Sequence, residues 1–246
     1  MLALPALFPA AVAPSRAIAQ VTSETTPLAP GKPGPELPAD GAYLAGEALR
    51  FSLDRYRDYE RLRFAGNDES YYLTIEPAAL GGRVLKYDTG DVALQVARWG
   101  GVTLYTRETP GGMPAERTGG AADEAVSNQA PDAKTLAQRF SEEIQQRTGL
   151  TIGFRANWDG LNQSDATRAL AADAVRNAAR AIQRVASSRS KGQALLAQFD
   201  VVRITPASEP GIAVAEKLLT VKIAPALGLA GRPSSLAIAK AIREKL

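Results

Sequence analysis

Histidine and cysteine are both absent from this sequence of 246 residues. Histidine is the side chain that most often serves as a general base or a metal ligand, and cysteine is the most reactive nucleophile. Their absence excludes disulfide bonds within the chain, zinc sites built from thiolates or imidazoles, and catalysis that depends on either side chain. We therefore expect no cofactor and no metal site, and a fold that is stabilised by its apolar core.

Net charge and long apolar runs are also scarce. The chain carries 29 Lys and Arg against 26 Asp and Glu, a formal net charge of +3. This charge is too small to attract a polyanion by itself, so we expect no specific nucleic-acid partner. The longest apolar stretch of the later chain, residues 211–231, contains Glu216, Lys217 and Lys222. Since a spanning helix needs about 20 mostly apolar residues, no transmembrane helix is expected once a signal peptide is removed.

The N-terminal segment has the pattern of a secretory signal peptide over residues 1–19. Residues 2–13 are apolar, and the small-residue pattern Ala17-Ile18-Ala19 precedes Gln20, which predicts cleavage between Ala19 and Gln20. The basic segment that normally precedes such a run is missing, as it would be if the signal peptide were truncated at its start. The pattern predicts an exported, soluble protein that is periplasmic or secreted; the alternative is an Ala- and Pro-rich terminus without a targeting role.

Composition divides the remaining chain into four parts. Residues 20–44 are rich in proline and predict a disordered linker, because such a segment buries too little apolar surface to offset its ordering entropy. Residues 45–110 predict an antiparallel β portion, and residues 111–131, with two Gly-Gly pairs, predict a linker or long loop. Residues 132–246 mix helical and strand patterns. The predicted fold class is α+β, with an N-terminal antiparallel β-meander followed by a mixed helix and strand portion.

Local patterns place individual elements within these parts. Apolar residues alternate with polar ones from Leu49 onward, with Gly- and Asp-rich turns between the runs, which predicts a meander of five or six strands. In the later part, Asp132 and Gly149 suit the two ends of one helix, and Ser164 suits the start of a longer one. Pro233 marks the start of a closing helix.

The long predicted helix carries a stripe of arginines opposite its apolar face. Arg176, Arg180 and Arg184 recur every four residues, although like charges at this spacing repel. One interpretation is an anion-binding face for an acidic envelope polymer, a lipid or a protein partner. The other is an ordinary charged outer face, paired with acidic residues of the N-terminal part.

Two further residue classes are candidates for chemistry. Carboxylates near the predicted sheet could form the acid and base pair of a glycosidase, although the sequence cannot place two of them at the required separation. Trp99 and Trp158 each precede a turn and could form a sugar platform or pack into the core. The carboxylates are Asp54, Asp58, Glu60, Glu76 and Asp88.

Four segments resemble an uncharacterised exported family of alphaproteobacteria that is described only as a domain of unknown function. The resemblance covers roughly residues 45–246 and implies export, but it implies no chemistry and no functional residue. The segments are residues 49–56, 80–90, 99–105 and 231–237. Together these observations predict a non-catalytic structural or binding module of the cell envelope. The alternative is a carboxylate-based hydrolase that acts on an envelope polysaccharide.

Overall fold

A computed structural model describes residues 37–120 and 132–245 of the chain. The predicted signal peptide, its cleavage site between Ala19 and Gln20, and residues 20–36 of the predicted linker lie outside the described residues. Residues 121–131 lie outside them as well. The described residues contain both strands and helices, in agreement with the predicted α+β class.

The N-terminal strands form a closed antiparallel barrel, in which each strand pairs with the next and β8 pairs back with β1. The sequence predicted a meander of five or six strands, whereas the described N-terminal residues form eight strands that close into a barrel. The strands are β1 (Gly41–Ala45), β2 (Leu49–Tyr56), β3 (Tyr59–Phe64), β4 (Ser70–Pro77), β5 (Arg83–Lys86), β6 (Val92–Val96), β7 (Val102–Leu104) and β8 (Met113–Gly119).

The two strands that close the barrel lie in segments that the sequence assigned to linkers. β1 falls largely in the Pro-rich segment 20–44, and β8 falls in the predicted loop 111–131. In β8 only Ala115 is buried, so its residues give no alternating apolar pattern. Pairing holds both strands in place, since Tyr43 lies opposite Arg117 and the Arg117 guanidinium donates to the Asp40 carbonyl at 2.7 Å.

One leucine from each of six consecutive strands fills the middle of the barrel. An eight-stranded barrel has an interior that side chains can fill, and here all six leucines are fully buried. Aromatic rings of Tyr43 and Phe51 stack in the same core with centroids 5.2 Å apart. The leucines are Leu53, Leu62, Leu73, Leu85, Leu94 and Leu104.

The C-terminal part is a two-layer arrangement of one mixed sheet and a row of helices. The sheet order is β11-β12-β10-β9, with β9, β10 and β12 parallel and β11 antiparallel to β12. Its elements are α1 (Ala133–Thr148), β9 (Gly153–Arg155), α2 (Trp158–Leu161), α3 (Asp165–Ala186), α4 (Arg189–Leu196), β10 (Val201–Pro206), β11 (Gly211–Ala215), β12 (Leu218–Ile223), a 3-10 segment (Pro225–Gly231) and α5 (Ser235–Lys245).

Capping residues define the two long helices where the sequence predicted them. The Asp132 carboxylate accepts from the Thr135 amide at 3.0 Å, and Gly149 ends α1 in the left-handed conformation at φ 73°. The Ser164 hydroxyl accepts from the Thr167 amide at 3.1 Å at the start of α3. These predicted helix ends are confirmed.

Helix α3 is the centre of the C-terminal core. It packs between α1 and α5 and against β10 and β12, and half of its 22 residues are buried. Most of the buried residues are alanines, whose small side chains allow the neighbouring elements to approach closely. Among the helices of the described residues, none is long and apolar enough to cross a bilayer.

Candidate ligand-binding cleft

The barrel contacts the N-terminus of α5 through two carboxylates. Asp88, which follows β5, accepts from both the amide and the hydroxyl of Ser234 at 2.6 Å. Glu69, which precedes β4, accepts from the amide of Ser235 at 2.8 Å and from its hydroxyl at 2.6 Å. Negative charge is favourable at the positive end of a helix. Burial raises the pKa of the Asp88 carboxyl, although the hydrogen bonds from Ser234 oppose this shift.

A buried arginine makes the second connection between the barrel and α3. The Arg232 side chain is 1% exposed, and its Nε donates to the Asp173 carboxylate of α3 at 2.6 Å. Its Nη2 donates to the Ser70 carbonyl at 2.8 Å, and its guanidinium lies 5.0 Å from the centroid of the Tyr72 ring. Arg232 therefore ties the segment before α5 to α3 and to β4 at the same time.

Two of the three stripe arginines contact the loop between β3 and β4. Arg180 pairs with Asp68, and its Nη1 donates to the Asn177 side chain at 3.0 Å. The guanidinium of Arg176 has a looser carboxylate contact, 3.9 Å from Asp173. The Arg180 pair is the kind expected for a charged face paired with the N-terminal part, whereas the Arg176 contact lies within α3. Anion binding by the stripe stays a prediction.

Arg184 has the most partners of the three stripe arginines. Its Nε donates to the Ser235 hydroxyl at 2.9 Å, and its Nη2 lies 3.1 Å from the Tyr71 hydroxyl and 3.4 Å from Glu69. Its side chain is still 38% exposed, because one side of the guanidinium faces a cleft.

The cleft runs along the barrel from Tyr71 at the start of β4 to the β4–β5 loop, and α5 and the C-terminal end of α3 line its other side. Its volume is about 1320 Å³, somewhat larger than a typical small-molecule site. Aliphatic and aromatic side chains of β2, β3, β4 and α5, together with the tyrosine after β5, form an apolar lining. These side chains are Leu49, Phe64, Tyr71, Tyr87 and Leu236.

Cationic side chains gather at the same cleft. Arg107, Arg184, Lys240 and Arg243 line it. Arg243 donates to the backbone carbonyl of Arg184 at 3.1 Å and has no carboxylate partner among the described residues. Burial lowers the pKa of the Arg243 guanidinium, and the nearby charges of Arg107 and Arg184 lower it further. Arg107 and Arg184 are therefore the two cations that act on Arg243 at the cleft.

Acidic residues at the cleft offset this charge only in part. Asp91, Glu108 and Glu244 line the cleft beside the four cations. Glu244 lies 4.0 Å from the Lys240 ammonium, and the Asp91 carboxylate accepts from the Thr89 hydroxyl at 2.8 Å.

The carboxylates that the sequence offered for a hydrolase lie elsewhere. Glu60 and Glu76 pair with Arg55 and Lys86, Asp54 pairs with Arg61, and Asp88 caps α5. Burial raises the pKa of Glu60, whose side chain is enclosed next to Arg55. None of the five described candidates Asp54, Asp58, Glu60, Glu76 and Asp88 lines the cleft. The hydrolase hypothesis stays a prediction.

Sequence reasoning identified Arg184 but missed the other cations of the cleft. Leu236, Lys240 and Arg243 of the closing helix stand at i, i+4 and i+7 and share one helical face, which is a detectable signal. Arg107 lies in the loop after β7, and only the fold brings it to the cleft. The two tryptophans also differ, because Trp158 packs on the C-terminal core while Trp99 is 85% exposed.

Comparison with known proteins gives one match. The model of a family described as "Domain of unknown function (DUF4908)" matches residues 14–242. No curated protein and no solved structure matches the chain significantly. The family match covers most of the chain and begins before residue 45, where the resemblance in the sequence began. The chain therefore belongs to the family "Domain of unknown function (DUF4908)".

Proposed function

We propose that this chain is a non-catalytic binding module whose cleft holds an organic anion that carries an apolar part. The observation that carries the proposal is Arg243, a cation of the cleft lining that lies near Arg107 and Arg184 and has no carboxylate partner among the described residues. Neighbouring like charges disfavour the charged form of Arg243. A bound anion would relieve the repulsion and would accept charge-assisted hydrogen bonds.

The lining of the cleft supports an apolar part in the ligand. Small-molecule sites are typically apolar with a few placed polar groups, and this cleft combines the lining of Leu49, Phe64 and Leu236 with a cluster of cations. A carboxylate or a phosphate head group with an alkyl or aromatic portion fits both features. The shared chemistry is an anionic head next to an apolar body.

Replacing Arg243 by glutamine tests the proposal. The ligands are octyl phosphate and octanoate, with octanol as the neutral analogue, and binding is measured by isothermal titration calorimetry. Hydrogen bonds to charged groups contribute about 1.5–3 kcal/mol. We therefore expect Arg243→Gln to weaken binding of both anions by about tenfold or more and to leave octanol binding unchanged.

Arg203→Gln is the matched control, since Arg203 is an exposed arginine of β10 that lies away from the cleft. It should bind both anions as the unchanged protein does. Equal affinities of the Arg243→Gln and unchanged proteins for the anions would overturn the proposal. An equal loss for octanol would also overturn it, because it would mean that the head group is not recognised by charge.

We further propose that the binding module works in the cell envelope, in the periplasm or outside the cell. The apolar residues 2–13 and the pattern Ala17-Ile18-Ala19 support export. In cells of the source organism, we expect the protein in the envelope fraction with Gln20 as its first residue, as determined by N-terminal sequencing. Recovery of the uncleaved chain from the cytosol would contradict this placement.

A further inference from the structure

Two neighbouring loops at the end of the barrel where β4 and β6 end expose large apolar side chains. Leu80 lies in the β4–β5 loop and is 90% exposed, and Trp99 lies in the β6–β7 turn and is 85% exposed. Among the described residues, Val92 is the next most exposed large hydrophobic side chain, at 38%. Single exposed apolar residues are ordinary. Packing within the protein does not explain two almost fully exposed apolar side chains on adjacent loops.

The two loops lie side by side. Gly82 of the first loop packs so closely on the second that an added Cβ would lie 2.7 Å from the Val96 carbonyl oxygen. An added Cβ on Gly81 would lie 3.5 Å from the Arg98 side chain. Leu80 and Trp99 are therefore the tips of one surface, which we call the loop pair and define as residues 77–83 and 96–102.

Leu80 occupies its tip in an unfavourable backbone conformation. Its φ of 58° and ψ of 22° lie in the left-handed region, where glycine and asparagine are far more common than leucine. Folding alone would favour glycine or asparagine at this position, since Leu80 makes no buried contact there. An apolar side chain held outward in a strained loop indicates a binding role for that side chain.

The composition of the loop pair matches a lipid surface. Its fourteen residues contain Arg83 and Arg98 and no acidic residue. Neither arginine has an ion-pair partner among the described residues. Tryptophan is enriched at the interface of membranes, and basic residues are attracted to anionic lipid head groups. Two narrow tips can insert between lipids. A stable protein interface, by contrast, needs a surface of about 800 Å² from each partner.

We propose that the loop pair docks this protein on an anionic lipid bilayer. Leu80 and Trp99 enter the interfacial region of the bilayer, and Arg83 and Arg98 contact its phosphate groups. This proposal goes beyond the ligand cleft and does not depend on it. The two are nevertheless adjacent, because Ala78 and Ala79 of the same β4–β5 loop line the cleft.

Co-sedimentation with vesicles of phosphatidylcholine, with and without phosphatidylglycerol, tests the proposal on the full chain. We expect binding to the anionic vesicles and a loss of about tenfold or more in Leu80→Asn or Trp99→Ser, because each removes one inserted apolar side chain. Asparagine suits the left-handed conformation, so Leu80→Asn removes the side chain without disturbing the loop. Arg98→Gln should weaken binding to anionic vesicles but not to neutral ones.

Leu80→Met and Arg203→Gln are the matched controls, since the first keeps an apolar tip and the second removes an exposed arginine elsewhere. All variants carry the same residues 1–36, so differences among them report the loop pair. Unchanged vesicle binding by Leu80→Asn and Trp99→Ser would overturn the proposal, as would no binding by the unchanged protein. A dimer in sedimentation that either variant converts to monomer would assign the loop pair to a second copy of the chain instead. Arg243→Gln should bind vesicles normally, which separates this test from that of the cleft.

Discussion

Replacing Arg232 by alanine is expected to lower the free energy of unfolding by about 3–5 kcal/mol, the usual effect of removing one partner of a buried ion pair. The Arg232 side chain is 1% exposed and donates to Asp173 and to the Ser70 carbonyl. Alanine would leave the Asp173 carboxylate without its closest partner and would remove the cation that lies over the Tyr72 ring. Urea unfolding, monitored by circular dichroism, measures the change.

Two comparisons make this result interpretable. Arg203→Ala removes an exposed arginine and should change the free energy of unfolding by less than about 0.5 kcal/mol. The double variant Arg232→Met/Asp173→Leu replaces both charges by apolar groups and should recover most of the loss, because it leaves no unpaired charge behind. A loss below about 1 kcal/mol in Arg232→Ala would show that Arg232 does not hold the two parts together as argued.

The helices of the C-terminal part could be predicted because their ends depend on local chemistry. Asp132, Gly149 and Ser164 each act on backbone groups within a few residues, so the signal lies in the adjacent sequence. The strand Leu218–Ile223 carries a similar local signal, since its apolar residues alternate. By contrast, β11 shows no clear alternation and was missed.

Closure of the barrel could not be predicted because it depends on pairing between distant segments. β1 and β8 are separated by most of the N-terminal part, and their partners are fixed by register rather than by composition. The strand β8 carries the polar residues Glu116, Arg117 and Thr118, which is possible because only one of its faces meets the core. A strand of this kind has no local signal that distinguishes it from a loop.

The candidate cleft was predictable only through one of its cations. Arg184 was identified by its helical spacing. Its place in the cleft, however, depends on the nearby Arg107 and Arg243, which belong to other elements. Trp99 illustrates the same limit, since its sequence context fitted core packing as well as an exposed platform. Which side of an element faces a partner is decided by tertiary packing, and a single sequence does not contain that information directly.

Replacing Glu69 by alanine should lower the free energy of unfolding by about 3–5 kcal/mol, because Glu69 is a fully buried charge with several donors. It accepts from the amide and hydroxyl of Ser235 and from the Tyr71 hydroxyl, and it pairs with Arg184. Alanine leaves the Ser235 amide and hydroxyl at the start of α5 without this acceptor, and each buried unsatisfied group costs about 1–3 kcal/mol. Urea unfolding gives the total, and Glu47→Ala is the matched control because Glu47 is exposed.

A double-mutant cycle with Ser235→Ala assigns part of this loss to a specific contact. Ser235→Ala alone should lower the free energy of unfolding by about 1 kcal/mol, as for a typical hydrogen bond. Because the Ser235 hydroxyl donates to Glu69 at 2.6 Å, the two substitutions should be non-additive by about 0.5–3 kcal/mol. Additive losses would mean that Glu69 stabilises the fold through the Ser235 amide, Tyr71 and Arg184 rather than through the Ser235 hydroxyl. A coupled result would instead show that Glu69, beside Asp88, fixes through the Ser235 hydroxyl the helix that carries Lys240 and Arg243, and with it the cationic side of the cleft.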